Sequence, residues 1–137
     1  MEIECGTLTV EAFLALYREV GWEPPCAAQV ETALRRSTAV FSAVEDGTPV
    51  GMLRLIGDGG MSFYLKDFAV LPTHQGRGVG ARLLDAAERW IRAHIAPGWA
   101  VSLELISTPA AVPFYERRGF EARPGETDGP GMFKMLR

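Results

Sequence analysis

The pattern of apolar and polar positions changes character several times along the chain. Residues 9–21, TVEAFLALYREVG, place Phe13, Leu16, Tyr17 and Val20 on one helical face, with Thr9 as N-cap and Gly21 at the end. Residues 23–37, EPPCAAQVETALRRS, predict a second helix, its prolines falling in a first turn that tolerates them. The pattern then becomes strand-like. AVFSAVE (39–45) and VGMLRLI (50–56) flank the turn DGTP, and a second turn, GDGG, leads to a third run, MSFYLKDFAV (61–70). Short connections make these three an antiparallel meander, and a brief strand at Ile3 to Cys5 precedes both helices.

Helical spacing returns at Gly78 and runs to about His94. Val79, Leu83, Ala87, Ile91 and Ile95 recur every fourth residue, and Leu84 and Trp90 widen the stripe. APG at 96–98 stops it. AVSLELI (100–106) predicts a strand, PAAVPFYERRG (109–119) a helix ended by Gly119, FEAR (120–123) a short strand, ETDGPG a loop and MFKMLR (132–137) a closing strand. The order is β-α-α-β-β-β-α-β-α-β-β. A helix between strands 61–70 and 100–106 implies a parallel crossover inside an otherwise antiparallel sheet, an α/β fold of mixed α+β character.

Composition narrows the setting. The 137 residues, 47% of them hydrophobic, suffice for one core and one domain spanning 1–137. A net charge of −3 argues against a general nucleic-acid binder or a polybasic membrane surface, so any anion site is local. Cys5 and Cys26 are too few for a disulfide framework or a metal knuckle, so free thiols in a reducing compartment and no metal are expected. The opening MEIECGTLTV lacks the apolar core of a signal peptide, and no run approaches the roughly 18 apolar residues of a membrane span. The expectation is a soluble cytoplasmic domain with no nucleic-acid or membrane partner.

The informative stretch is THQGRGVGARLL, residues 73–84. A helix start carries unpaired N–H groups and partial positive charge, which acidic side chains usually complement. Here Arg77 precedes the helix, Arg82 follows its start, and no acid appears until Asp85. That is unfavourable unless a negative group arrives from outside. Gly76, Gly78 and Gly80 keep side chains away from the backbone and permit positive φ. Together these describe an anion cradle suited to phosphate. The P-loop pattern fails, because no lysine followed by serine or threonine closes the loop. GRGVGA spells a variant of the dinucleotide fingerprint, but LPTHQ separates the preceding strand from the first glycine, and that strand closes a meander.

DFAVLPTHQGRGVGARLLDAAERWI resembles the acetyl-CoA signature of the GNAT acetyltransferase superfamily, Q/R-x-x-G-x-G/A, carried here by Gln75, Gly78 and Gly80. PFYERRGF, residues 113–120, resembles its second signature, and the resemblance covers roughly residues 39–123. It implies a GNAT fold, with a mixed six- to seven-stranded sheet, central splayed parallel strands and about four helices. It also implies acetyl-CoA as cosubstrate. The turn Gln75, Gly76, Arg77, Gly78, Val79, Gly80, Ala81 would then hold the pyrophosphate. Backbone groups of Phe68, Ala69 and Val70 would pair with the pantetheine arm, the Val70 N–H donating to the thioester oxygen. The family places a bulge in the strand before the turn.

Acyl transfer needs held reactants, an oxyanion donor, a neutral amine and a proton for the leaving thiolate. Tyr115 is the candidate acid, since a phenol near its ordinary pKa of roughly 10 stays protonated at neutral pH; the plainer reading is an aromatic packed beside Phe114. Glu104 is the candidate base, directly or through water, on the face of SLELI that it shares with Ser102 and Ile106. Asp67 is a second choice. His74 reads as a surface loop residue, and His94 as a favourable cation near a helix end. Where the family often has an asparagine bonding the pantetheine, this chain has Thr108.

By resemblance the acceptor, a small-molecule or protein amine, meets residues 9–36 and 123–131. The first segment ends in Arg35 and Arg36, and the second holds Glu126 and Asp128, acids that would attract a cationic amine. Family members are often dimers, and a homodimer through the last strands fits that. Two alternatives stand beside the enzyme: a non-catalytic coenzyme A/acyl-CoA-binding regulatory module on the same scaffold, and a phosphate-binding module of another fold.

Overall fold

The computed structural model describes residues 1–137. The chain divides into two compact units, Met1–Glu104 and Leu105–Arg137. The first is built from β1 (Glu2–Cys5), α1 (Val10–Glu19), α2 (Ala27–Arg36), β2 (Ala39–Glu45), β3 (Thr48–Gly57), β4 (Ser62–Val70), α3 (Val79–His94) and β5 (Ser102–Glu104). The second holds a 3₁₀ turn (Pro109–Ala111) and α4 (Val112–Glu116). No helix is long and apolar enough to cross a membrane.

The sheet runs in the order β1-β2-β3-β4-β5. The first three pairings are antiparallel, and β4 pairs with β5 in parallel. The mixed α+β architecture, the meander and the parallel crossover through α3 agree with the sequence pattern. Parallel pairing covers only Ser62 to Tyr64 against Ser102 to Glu104, while β4 continues to Val70. The second half of β4 therefore has no β5 partner.

Adjacent residues of β3 assign the two faces of the sheet. Met52 is buried with Phe13 and Leu16 of α1 and Val30 of α2. A Cβ on neighbouring Gly51 would instead lie 3.1 Å from Leu83 Cδ1 and 3.3 Å from Val79 Cγ1, both on α3. So α1 and α2 cover one face and α3 covers the other. The missing side chain at Gly51 lets the first turns of α3 lie close on β3. Val79, Leu83, Leu84, Ala87 and Ile91 form the buried stripe of α3. Burying each of its large aliphatic side chains contributes about 1.5–3 kcal/mol. That outweighs a misplaced charge near the helix start, typically about 0.3–1 kcal/mol.

Several boundaries differ from the pattern. The second helix begins at Ala27, after both prolines, with Cys26 extended at ψ 156°; a residue before proline is disfavoured in the helical region, so Pro25 works against a helical Pro24. Strand β5 has three residues instead of the seven of 100–106, and α4 has five residues beyond its 3₁₀ turn. Six to seven strands were expected, and five form, because neither 120–123 nor 132–137 is a strand. FEAR is cut short by Pro124, and MFKMLR spreads its apolar residues over both faces of such a strand, Met132 and Leu136 on one and Phe133 and Met135 on the other, so it lacks the apolar-polar alternation of a half-buried strand. Met132, Phe133, Met135 and Leu136 are exposed.

Candidate active site

After β4 the chain makes a 3₁₀ turn, Pro72–His74, passes through Gln75 and enters α3 by way of Gly76 and Gly78. Gly76 has φ 74° and Gly78, the N-cap, φ 78°. Those left-handed values require glycine there. Gly80 lies inside the first turn of α3 and needs no such freedom, so there glycine supplies only the missing side chain. A Cβ at Gly76 or Gly78 would meet nothing within 4 Å, which leaves open space over the turn. No side chain caps the helix, and its first turn carries no acid. Positive helix end, open space and the flanking Arg77 and Arg82 together fit a diphosphate.

Two side chains fasten this turn. Gln75, expected to touch the cofactor, donates from Nε2 to the Val70 carbonyl at 3.0 Å. His74, expected to be a plain surface residue, lies 2.7 Å from Glu45 Oε2 through Nε2 and 2.9 Å from Thr73 Oγ1 through Nδ1. The His74 hydrogen bond foremost, with the charge of Arg77 adding to it, holds the Glu45 carboxyl below its usual range.

The edge of β4 presents Val70. Asp58 N–H donates to Ser62 O on β4, while Met61 O accepts from Ser102 N–H of β5. Before the middle of β4, even-numbered residues therefore face β3 and odd-numbered ones face β5. Past the middle the parity is reversed, for Leu71 N–H donates to Val50 O. The cause is a register shift: Arg54 pairs with Lys66 but Met52 with Ala69, so two residues of β4 stand opposite Leu53. Val70 thus turns its N–H and C=O away from β3, towards the edge that β5 leaves unpaired. Gln75 takes the carbonyl, and the N–H remains on the open edge. This bulge lies where the family resemblance implied one.

Glu104 ends β5 opposite Tyr64, on an exposed face, and its Oε1 accepts from Ser102 Oγ at 3.0 Å. Burial first, then the Glu104 charge, push the Tyr64 phenol up. Asp67, the second-choice base, is committed elsewhere: Arg54 Nε donates to its Oδ2 at 2.7 Å. Arg54 escaped the sequence reading. The available signal was an arginine set in the apolar strand MLRLI, where a charge needs a partner.

In the second unit, Tyr115 lies edge-on to Phe114 and Phe120, with ring centroids 5.2 and 5.5 Å away. Burial pushes its phenol up. The chain reverses through Gly119 at φ 88°, and Phe120 N–H donates to Tyr115 O, which carries Phe120 back over the tyrosine. Thr108 is exposed and leads into the 3₁₀ turn, its carbonyl accepting from Ala111 N–H. Of the late-loop acids, Asp128 is bound by Arg123 Nε at 3.0 Å.

Comparison with known proteins gives a consistent answer. A family model described as acetyltransferase (GNAT) domain matches residues 36–122. A GNAT family acetyltransferase from Streptococcus pneumoniae is 31% identical with a TM-score of 0.80, covering 99% of this chain and 98% of that one. A Staphylococcus aureus protein of unknown function is 27% identical with a TM-score of 0.85, covering 98% of each chain. An uncharacterised N-acetyltransferase of Pyropia yezoensis is 27% identical over 115 residues, 80% of this chain. The present chain spans 63% of the length of that curated relative.

Proposed function

The chain belongs to the GNAT acetyltransferase family, and on that premise we propose that it moves an acetyl group from acetyl-CoA directly to a primary amine of a small molecule or protein. The reading takes residues 1–137 as one transferase domain. It rests above all on the uncapped start of α3, beside a strand whose Val70 N–H faces an unpaired edge.

In this reading the backbone amides from Gly76 to Ala81 hold the diphosphate, with Arg77 adding charge. The edge of β4 from Phe68 to Val70 receives the pantetheine amides as an added strand does. Thr108 supplies a further hydrogen bond to that arm. The Val70 N–H donates to the acyl oxygen, where negative charge grows as the amine adds. Glu104 accepts the proton that the amine must lose, directly or through water. As the C–N bond forms and the C–S bond breaks, Tyr115 gives its proton to the departing sulfur. A phenol kept protonated by burial is suited to that task.

The test is a thermal-shift series followed by an amine panel with acetyl-CoA, reading thiol release. Coenzyme A should stabilise the protein, by about 2.7 kcal/mol at a hundredfold excess over Kd, and ATP or NAD should not. Turnover of at least one amine supports the enzyme. Tight coenzyme A binding with no turnover across the panel supports a regulatory binding module instead.

A further inference from the structure

The turn and the edge of β4 leave one polar cluster unused. Arg54 lies in mid-strand between Leu53 and Leu55, both completely buried. Its bond to Asp67 is nearly enclosed, with the two side chains only 14% and 11% exposed. Its second nitrogen reaches Ser37 Oγ at 3.4 Å. Tyr17 of α1 lies close enough to feel the same carboxylate: burial foremost, and then the Asp67 charge, push its phenol up. Groups on α1, β3 and the end of α2 therefore converge on one aspartate.

That aspartate has an unusual backbone. Asp67 has φ 49°, a left-handed value that only Asp46 shares among the non-glycine residues. It also falls in the bulge, where Asp67 and Phe68 together oppose Leu53. A left-handed non-glycine residue inside a strand persists only when its surroundings over-determine it. Here the charge-assisted bond from Arg54 does so, and the bulge it holds is what reverses the parity of β4 ahead of Val70.

We propose that Arg54 and Asp67 are positioning residues, a latch that holds the β4 bulge and so keeps the Val70 N–H on the open edge. Without the latch, β4 slips by one residue against β3. The Val70 N–H then turns into the sheet and is consumed by β3, and the acyl oxygen loses its donor. The catalytic half of this inference rests on the acetyl-transfer reading. The structural half stands without it.

The experiment compares Asp67→Ala, Asp67→Gly and Arg54→Gln in the full chain. Amide hydrogen exchange at Ala69 and Val70 is read by NMR without ligand. The kcat and the KM for acetyl-CoA are read with an amine that the wild type turns over. In the wild type Ala69 should exchange slowly and Val70 fast. In Asp67→Ala and Arg54→Gln that contrast should shrink or invert, and kcat should fall at least tenfold with KM within about threefold. Asp67→Gly should recover the contrast and most of the lost kcat, because glycine adopts positive φ unaided. Wild-type exchange and kcat in Asp67→Ala and Arg54→Gln would overturn the latch, as would an Asp67→Gly no better than Asp67→Ala. A changed exchange pattern with unchanged kcat would overturn its catalytic half. If Asp67→Ala fails to fold, Arg54→Gln against Asp67→Gly decides. A wild type that turns over no amine contradicts the acetyl-transfer reading and leaves exchange to decide the latch.

Discussion

The Gln75 side-chain amide donates to the carbonyl of Val70, five residues earlier, at 3.0 Å. One bond thereby ties the glycine turn to the end of β4 and occupies the Val70 carbonyl, leaving the N–H of the same residue on the edge. Gln75→Ala should raise the Kd for coenzyme A about fivefold, the equivalent of one ordinary hydrogen bond of about 1 kcal/mol. Gln75→Glu should do more damage, since a carboxylate cannot donate to the carbonyl and repels a diphosphate. Isothermal titration calorimetry of both variants checks the order.

Tyr115→Phe keeps the ring between Phe114 and Phe120 and removes only the hydroxyl, and with it the proton it would donate. The kcat should fall about 10²- to 10⁴-fold, the usual contribution of a positioned acid, while the Kd for coenzyme A stays within twofold. Burial raises the phenol pKa, so the acid form persists up to and beyond the ordinary value of 10. Loss of rate from Tyr115 should therefore appear only on the alkaline side of that value. A kcat profile extended to high pH measures it.

Gly51→Val should act at a distance. Its side chain would enter the space now 3.1 Å from Leu83 Cδ1 and 3.2 Å from the Ala69 carbonyl, and the start of α3 would have to lift off β3. Overpacking of this kind costs about 1–3 kcal/mol. Urea unfolding should show that loss, and coenzyme A binding should weaken with it, although Gly51 belongs to neither the turn nor the edge.

Asp58 organises the turn between β3 and β4 by accepting from the N–H groups of Gly60, Met61 and Ser62. Backbone hydrogen bonds, led by that of Met61, lower its carboxyl from 3.8 to about 2. A depressed carboxylate stabilises the fold above its unfolded pKa and loses that effect as pH falls through the folded one. Asp58→Ala should therefore melt below the wild type at pH 7, and the gap should close between about pH 4 and pH 2. Melting curves across that range test the sign.

The sequence was most legible where a period persists. The apolar stripe of α3 ran for four turns, and four of its five fourth-residue positions, Val79, Leu83, Ala87 and Ile91, are buried. The strand AVFSAVE was located to the residue, and the Thr9 cap accepts from Ala12 N–H as its type suggests. The glycine turn was readable because three glycines and two arginines at a helix start defy the usual charge preference. What stayed hidden depends on partners far along the chain. The family resemblance implied a bulge in the strand before the turn, but no local pattern names Asp67 as its site or Arg54, thirteen residues earlier, as its partner, because the register shift exists only between the two strands. The stop of β5 at Glu104 is likewise a matter of pairing, because AVSLELI continues its alternation to Leu105. MFKMLR was overread from composition, since its apolar residues fall on both faces and give no apolar-polar alternation.

The central claim is that bare main-chain amides at the start of α3 hold the diphosphate of the cofactor. Titrating ¹⁵N-labelled protein with coenzyme A and following every backbone amide tests it most directly. The account predicts that the largest shifts fall on Gly76 through Ala81, with Val70 responding in the same titration. Saturable binding that leaves those amides in place while shifts gather elsewhere in the chain would contradict it.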